Sequence, residues 1–233
     1  MNKTIPLVSI IMSSFNEEQY ISDSISSILN QSFEDFEFLI LDDGSSDRTY
    51  EILESFTKLD KRVKIFKNEK NLGLTKSLNI LISNSNSKYI ARQDSDDISH
   101  RDRLKTQINF LENNNFVGCS VRANRKNSSR NIPFLSNYLP LKFVVKFKNP
   151  IIHGTLMINR LKMQEIGNYD ERFYYAQDYK LISDLVSKNL KFKRLNSILY
   201  TLNMENNISK KFKNEQKYFS DCVKNNKVPK GVN

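Results

Sequence analysis

Three carboxylates fall within four residues, at Asp94, Asp96 and Asp97, directly after the apolar run Tyr89-Ile90-Ala91. Acids this close repel one another unless something neutralises them, and a divalent cation is the simplest neutraliser. Oxygen-only ligands select a hard ion such as Mg2+ or Mn2+, which takes few protein ligands and completes its shell with substrate phosphates. In an extended segment Asp94 and Asp96 share a face while Asp97 turns away, where it could cap a helix beginning near His100. A merely solvated acidic loop is the competing explanation, and it would be the stronger one if the cluster stood alone.

Two further polar clusters keep it company. Asp42 to Asp47 (DDGSSD) follows the apolar run Phe36 to Leu41, and Ser13 to Glu18 follows the run Leu7 to Met12. A carboxylate at a strand end can accept from a nucleobase imide or a ribose hydroxyl, although an Asx turn around Gly44 explains the same residues. Neither GxGxxG nor GxxxxGK[ST] occurs, so dinucleotide and P-loop readings lose their main support. Phosphate must be held otherwise, and a metal bridging its oxygens, aided by Arg92 or Lys76, does so without glycines.

The elements that position these clusters follow from the periodicity. Apolar runs at Leu7–Met12, Phe36–Leu41, Val63–Phe66 and Tyr89–Ala91 alternate with helical spacing at Tyr20–Leu29, Tyr50–Phe56 and Leu74–Leu81. Strand-helix alternation with short connections predicts an α/β fold: a three-layer α/β/α arrangement around a mostly parallel, Rossmann-like sheet with right-handed crossovers. Ligands in such sheets sit beyond the carboxyl ends of the strands, where all three clusters fall. Further on, the pattern predicts a helix from His100 and strands at Phe116–Val121 and Ile151–Ile158. It also predicts a short helix around Leu139–Phe147 and helices at Lys162–Ile166 and Asp178–Val186. His153 then lies in an otherwise apolar strand, where a satisfied core imidazole is at least as good an explanation as an acceptor-side or phosphate-side role. Asp178 opens a helix, whose N-terminus favours a carboxylate, so an ordinary capping role competes with a chemical one.

Composition sets outer bounds. The 233 residues, 39% hydrophobic with 15 Phe and 10 Tyr, are enough for a substantial core and too aromatic for a disordered chain. Cys119 and Cys222 are far apart with no CxxC spacing, which argues against a zinc site or a disulfide framework and predicts cytosolic thiols. The run from Ile5 to Met12 is too short for a signal segment, and no 18 apolar residues occur together. A cytoplasmic protein is expected, with attachment to the cytoplasmic face of the inner membrane left open. The net charge is +10, and Ser187 to Lys230 carries 11 basic against 3 acidic residues. That stretch reads either as a solvated helix with a fraying end or as a basic surface, with Phe192, Phe212, Tyr218 and Phe219, that meets anionic lipid.

Taken together the motifs resemble the inverting family 2 glycosyltransferases of the nucleotide-diphospho-sugar transferase (GT-A) fold, especially small bacterial enzymes of lipopolysaccharide and capsule synthesis. The resemblance rests on PLVSIIMSSFNEEQYISDSISSILNQSFEDFEFLILDDGSSDRT, NLGLTKSLN, YIARQDSDDIS, RLKTQINFL, NPIIHGTLMINR and YDERFYYAQDYKLISDL, and covers about residues 5 to 186. It implies one catalytic domain over 1–203, with a nucleotide-binding half to about 97 and an acceptor half from 98, followed by a basic tail over 204–233. Ser13 and Asp43 would contact the nucleoside, with Asp43 facing uracil if the donor is a UDP-sugar. Asp94 and Asp96 would form the DxD motif with Ser95 between them, Asp96 meeting Mn2+ or Mg2+ directly and Asp94 touching ribose or a metal-bound water. Asp178 would be the general base that deprotonates the acceptor hydroxyl. The partners implied are a nucleotide-sugar donor, an oligosaccharide or lipid-linked glycan acceptor and, through the tail, an anionic membrane surface; nucleic acid is not expected. The chain lacks the QxxRW motif and membrane spans of processive members, which implies one sugar per encounter. A sugar nucleotidyltransferase and a basic nucleic-acid-binding protein are the competing functions. The first normally announces a Gly-rich basic N-terminal loop, absent from IIMSSFNEE, and the second needs exposed aromatics interleaved with basic residues.

Overall fold

A computed structural model describes residues 5–126, 128–132, 135–204 and 212–230. Its centre is the strand β1 (Val8–Ser14), all seven residues of which are buried. Burial on both faces is what a continuous β-branched run requires, and β1 finds it between β2 (Phe36–Asp42) and β4 (Tyr89–Arg92), parallel to both. With β3 (Val63–Lys67) beyond β2, the first half of the sheet is wholly parallel, as expected. Helices α1 (Ile21–Leu29), α2 (Thr49–Leu59) and α3 (Leu74–Ser83) make the crossovers.

The second half is mixed. After β5 (Ile98–Ser99) and α4 (Arg103–Glu112) come β6 (Gly118–Arg125), β7 (Ser128–Ile132), α5 (Leu141–Val144), β8 (Met157–Asn159), α6 (Arg160–Glu165), α7 (Gln177–Ser187), β9 (Phe192–Leu202) and α8 (Lys213–Lys224). Among the described residues the sheet runs β3-β2-β1-β4-β8-β6-β9-β5, with β7 on β6. β8 is antiparallel to β4 and β6, and β6 runs parallel to β9.

Alternation along each strand divides the core in two. Ile11, Leu39, Leu41, Ile90 and Ile158 face α3, α6, α7 and α8, whereas Val8, Ile10, Met12, Phe36, Phe38, Ile40 and Met157 face α1, α2 and α4. This is the predicted three-layer arrangement. Helix α8 lies inside the stretch read as a tail, and it buries Phe219, Cys222 and Val223 in the first of these layers. Residues 205–211 and 231–233 of that stretch lie outside the described residues. Among the described residues no helix is long and apolar enough to cross a membrane.

Several local expectations are corrected. Only Met157–Asn159 of the expected strand at 151–158 is extended; His153–Thr155 is a 3-10 turn. The helix expected around 139–147 is the single turn of α5, in which Val144 is buried and Leu141 packs against the core. Asp97 caps no helix: α4 begins at Arg103, and the Asp97 carboxylate accepts from the Asn203 amide at 2.7 Å. Strand β9 occupies sequence read as solvated and basic, and its Arg194 is buried.

Candidate active site

The carboxyl ends of β1, β2 and β4 bring the three polar clusters to one edge. Asp94 follows β4, and its loop is held from several directions. The Ser24 hydroxyl donates to the Asp94 carbonyl at 2.8 Å, and the Gln93 amide donates to the carbonyls of Asp94 and Asp97 at 3.1 and 2.9 Å. The Asp94 amide donates to the Tyr200 hydroxyl of β9 at 3.1 Å. Sequence reasoning missed Arg103, which is fully buried in α4 and donates to the carbonyls of Arg92 (2.9 Å) and Gly154 (3.0 Å) and to the Gln93 amide oxygen (3.3 Å). Burial brings its guanidinium down to about 10.

Arg92 does not stand open to phosphate as expected. Its side chain is 1% exposed, and one amine pairs with the Asp94 carboxylate at 2.7 Å. Its Nε and Nη1 have no protein partner, leaving donor capacity beneath the acidic loop. Asp96 is pushed up to about 6 by its own burial and by the Asp94 charge. Glu17, in the loop after β1, is pushed up to about 7 by burial and then by Asp96, Asp47 and Asp94. This surplus of negative charge is what a divalent cation would relieve. Among the described residues no group of three or more His, Cys, Asp or Glu side chains is arranged as a ligand set. The carboxylates present therefore fit a cation shared with substrate oxygens rather than one caged by protein alone.

Asp43 is buried just beyond the end of β2. One oxygen accepts from the Asn68 side chain (2.7 Å) and the Leu72 amide (2.9 Å), the other from the Gly73 amide (2.9 Å). A carboxylate offers about four acceptor positions, so one remains for a ligand. Asp42 is fully buried, and its Oδ1 has no protein partner. Ser13 and Ser95 are buried at the ends of β1 and β4, while Lys76 is exposed in the first turn of α3.

Asp178 sits in the first turn of α7, after a left-handed Ala176 (φ 55°). The Asn149 side chain donates to its Oδ2 at 2.5 Å, and the Tyr179 amide to its Oδ1 at 2.7 Å. His153 and Tyr169 are hydrogen-bonded at 2.7 Å between Nε2 and Oη. Burial and then the Arg92 charge hold His153 below its ordinary 6.5, while the carboxylates of Asp178 and Asp94 act on it in the opposite sense. The same two acids and Arg92 act on Tyr169. Asn149 and Tyr169 carried no signal in the sequence, since each is one polar residue in a variable or turn segment.

Comparisons with known proteins bear on the family and the fold. The family model described as glycosyl transferase family 2 matches residues 9–167. An uncharacterized glycosyltransferase of Haemophilus influenzae is 36% identical over 198 residues, covering 77% of this chain and 60% of the relative. The chain therefore spans about three fifths of that relative's length. Among solved structures, S. aureus TarS 1–349 in complex with UDP-GlcNAc superposes with a TM-score of 0.72 at 21% identity, covering 86% of this chain and 59% of the other. The mannosyltransferase PcManGT from Pyrobaculum calidifontis, in complex with GDP-Man and Mn2+, gives 0.77 at 15% identity over 97% and 66%. The chain belongs to glycosyl transferase family 2 and has the GT-A fold.

Proposed function

We propose that this protein moves a hexose or N-acetylhexosamine from a nucleotide-diphospho-sugar, by preference a UDP-sugar, to a hydroxyl of a surface polysaccharide or lipid-linked oligosaccharide, with inversion at the anomeric carbon and with Mn2+ or Mg2+. The observation that carries the proposal is the gathering of Ser13, Asp43 and the Asp94–Asp97 loop at the carboxyl ends of the adjacent parallel strands β1, β2 and β4, with the turn at Gly154 packed against the Asp94 carboxylate. The named ligands of the structural neighbours, UDP-GlcNAc and GDP-Man with Mn2+, support the class of donor. The competing nucleotidyltransferase and nucleic-acid-binding readings find no support in these matches.

In this reading the free acceptor position of Asp43 takes the imide proton of the base, and Ser13 contacts the nucleoside. Asp96, Asp94 and Ser95 line the diphosphate side, with Lys76 at its rim. A cation held by Asp96 and Asp94 would offset the charge that gathers on the departing diphosphate. Asp178 accepts the proton of the acceptor hydroxyl as the new bond from its oxygen to the anomeric carbon forms. The bond from that carbon to the diphosphate breaks on the opposite face, and its electron pair leaves with the nucleoside diphosphate. The hydrogen bonds from Asn149 and the Tyr179 amide fix the Asp178 carboxylate for this task. His153 stands on the acceptor side. A lipid-linked acceptor places the enzyme at an anionic membrane face on the cytoplasmic side.

The test is hydrolysis and transfer from a panel of nucleotide sugars with either metal, comparing the native protein with Asp96→Ala and Asp178→Ala. Asp96→Ala should weaken metal-dependent donor binding. Asp178→Ala should bind donor normally and lose roughly 10²–10⁴-fold in transfer, the usual contribution of a positioned base. Native transfer by Asp178→Ala would overturn the base assignment.

A further inference from the structure

Between Asn113 and Gln164 the sequence contains no acidic residue and nine basic ones. Within this span, the segment from Tyr138 to Lys148 exposes large apolar side chains next to lysines. Tyr138 (65% exposed), Leu139 (47%), Phe143 (53%) and Phe147 (60%) stand in solvent, and the rings of Phe143 and Phe147 lie 5.1 Å apart. Lys142, Lys146 and Lys148 are exposed among them. The other side of the segment is firmly seated: Val144 and Val145 are buried, and the Val145 carbonyl accepts from the buried Tyr179 hydroxyl at 2.6 Å. One residue further on, Asn149 holds Asp178.

An exposed aromatic group set among lysines, in a stretch of sequence without acids, has the composition of an interfacial anchor, with rings entering the headgroup region and lysine stems lying over them. We propose that residues 138–148 are the surface by which this protein docks on an anionic lipid bilayer. This deepens the reading above, because it sets the membrane face beside the base that would receive a lipid-linked acceptor. It also moves the lipid contact away from the C-terminal basic stretch. There, α8 mixes Lys213, Lys217 and Lys224 with Glu215 and Asp221, and Lys224 pairs with Asp221 at 3.0 Å. A surface of mixed sign is poorly suited to a negative bilayer.

The test is sedimentation of the whole protein with vesicles of phosphatidylglycerol and, separately, of phosphatidylcholine. The native chain should bind the anionic vesicles only. The variant K142E/K146E/K148E should lose at least about a hundredfold in binding, given roughly fivefold for each lysine at an anionic surface. F143S/F147S should also lose binding, while K213E/K217E on α8 should retain most of it. Failure of the native chain to bind, or native binding by either 138–148 variant, overturns the proposal. So does a native dimer in analytical ultracentrifugation that F143S/F147S dissociates with vesicle binding intact, which would make a second copy the occupant of this face. Vesicle binding needs no catalysis, so it can fail while donor hydrolysis succeeds, and the reverse.

Discussion

Gly154 lies in the 3-10 turn after His153, packed against the acidic loop, and a single methyl group there tests how tightly that loop is held. A Cβ at this position would stand 2.1 Å from the Tyr200 hydroxyl, 2.7 Å from its Cζ and 2.6 Å from Asp94 Oδ2. None of these can move freely, because Tyr200 is buried and accepts from the Asp94 amide, and Asp94 pairs with Arg92. Overpacking a rigid site costs about 1–3 kcal/mol, and loss of the Asp94–Tyr200 hydrogen bond adds about 1 kcal/mol. For a chain of this size the sum of about 2–4 kcal/mol lowers the melting temperature by roughly 5–15 °C. Donor hydrolysis should fall with it, since the proposed function sets the displaced carboxylate on the donor side. Two comparisons separate packing from a general glycine effect. In Gly167→Ala the new methyl meets nothing within 4 Å, although φ is +97°. It should cost about 1–2 kcal/mol of backbone strain and leave donor hydrolysis intact. The double variant Gly154→Ala/Tyr200→Phe, which removes the oxygen nearest the clash, should be more stable than the two single changes sum to. Native melting and native hydrolysis in Gly154→Ala would refute the packing argument.

Two further outcomes follow from the site. Asp43→Asn replaces one acceptor oxygen with a donor where three N–H groups converge. It should cost about 1.5–3 kcal/mol in denaturant unfolding and weaken nucleotide binding in calorimetry; unchanged values for both would show that these contacts carry no weight. His153 is held below its ordinary 6.5 in the folded protein, chiefly by burial. Below pH 6.5 the unfolded chain therefore binds more protons than the native one, and stability falls as pH falls. His153→Phe should flatten that part of the profile in pH-dependent unfolding, and parallel profiles for native and variant would contradict the assignment.

The parallel half of the fold was legible because its signals are local: continuous apolar runs, helical spacing and polar residues at strand ends. Asp43, Asp94 and Asp178 could be singled out for the same reason, each standing at an element's end. What escaped depends on distant partners. Arg103 in RLKTQINFL looks like any helix-surface arginine, and its burial comes from acceptors at Arg92, Gln93 and Gly154, supplied by two other segments. Strand β9 was obscured by Lys193 and by Lys191 just before it, which alternate with Phe192 and Arg194, whose burial depends on the distant core layer and on the carbonyls of Ser136 and Leu139. The short turn at His153–Thr155 reads as strand because its neighbours are apolar, while its hydrogen bonds are those of a bend.

Arg103 also joins two segments that the sequence keeps far apart. By clasping the end of β4 and the turn at Gly154 together, it makes those two stretches a single stiff floor. Residues 141–149 are instead tied to the start of α7, through Asn149–Asp178 and Tyr179–Val145. On the proposed function, exchanging residues 141–149 between relatives should therefore alter acceptor use while donor hydrolysis persists.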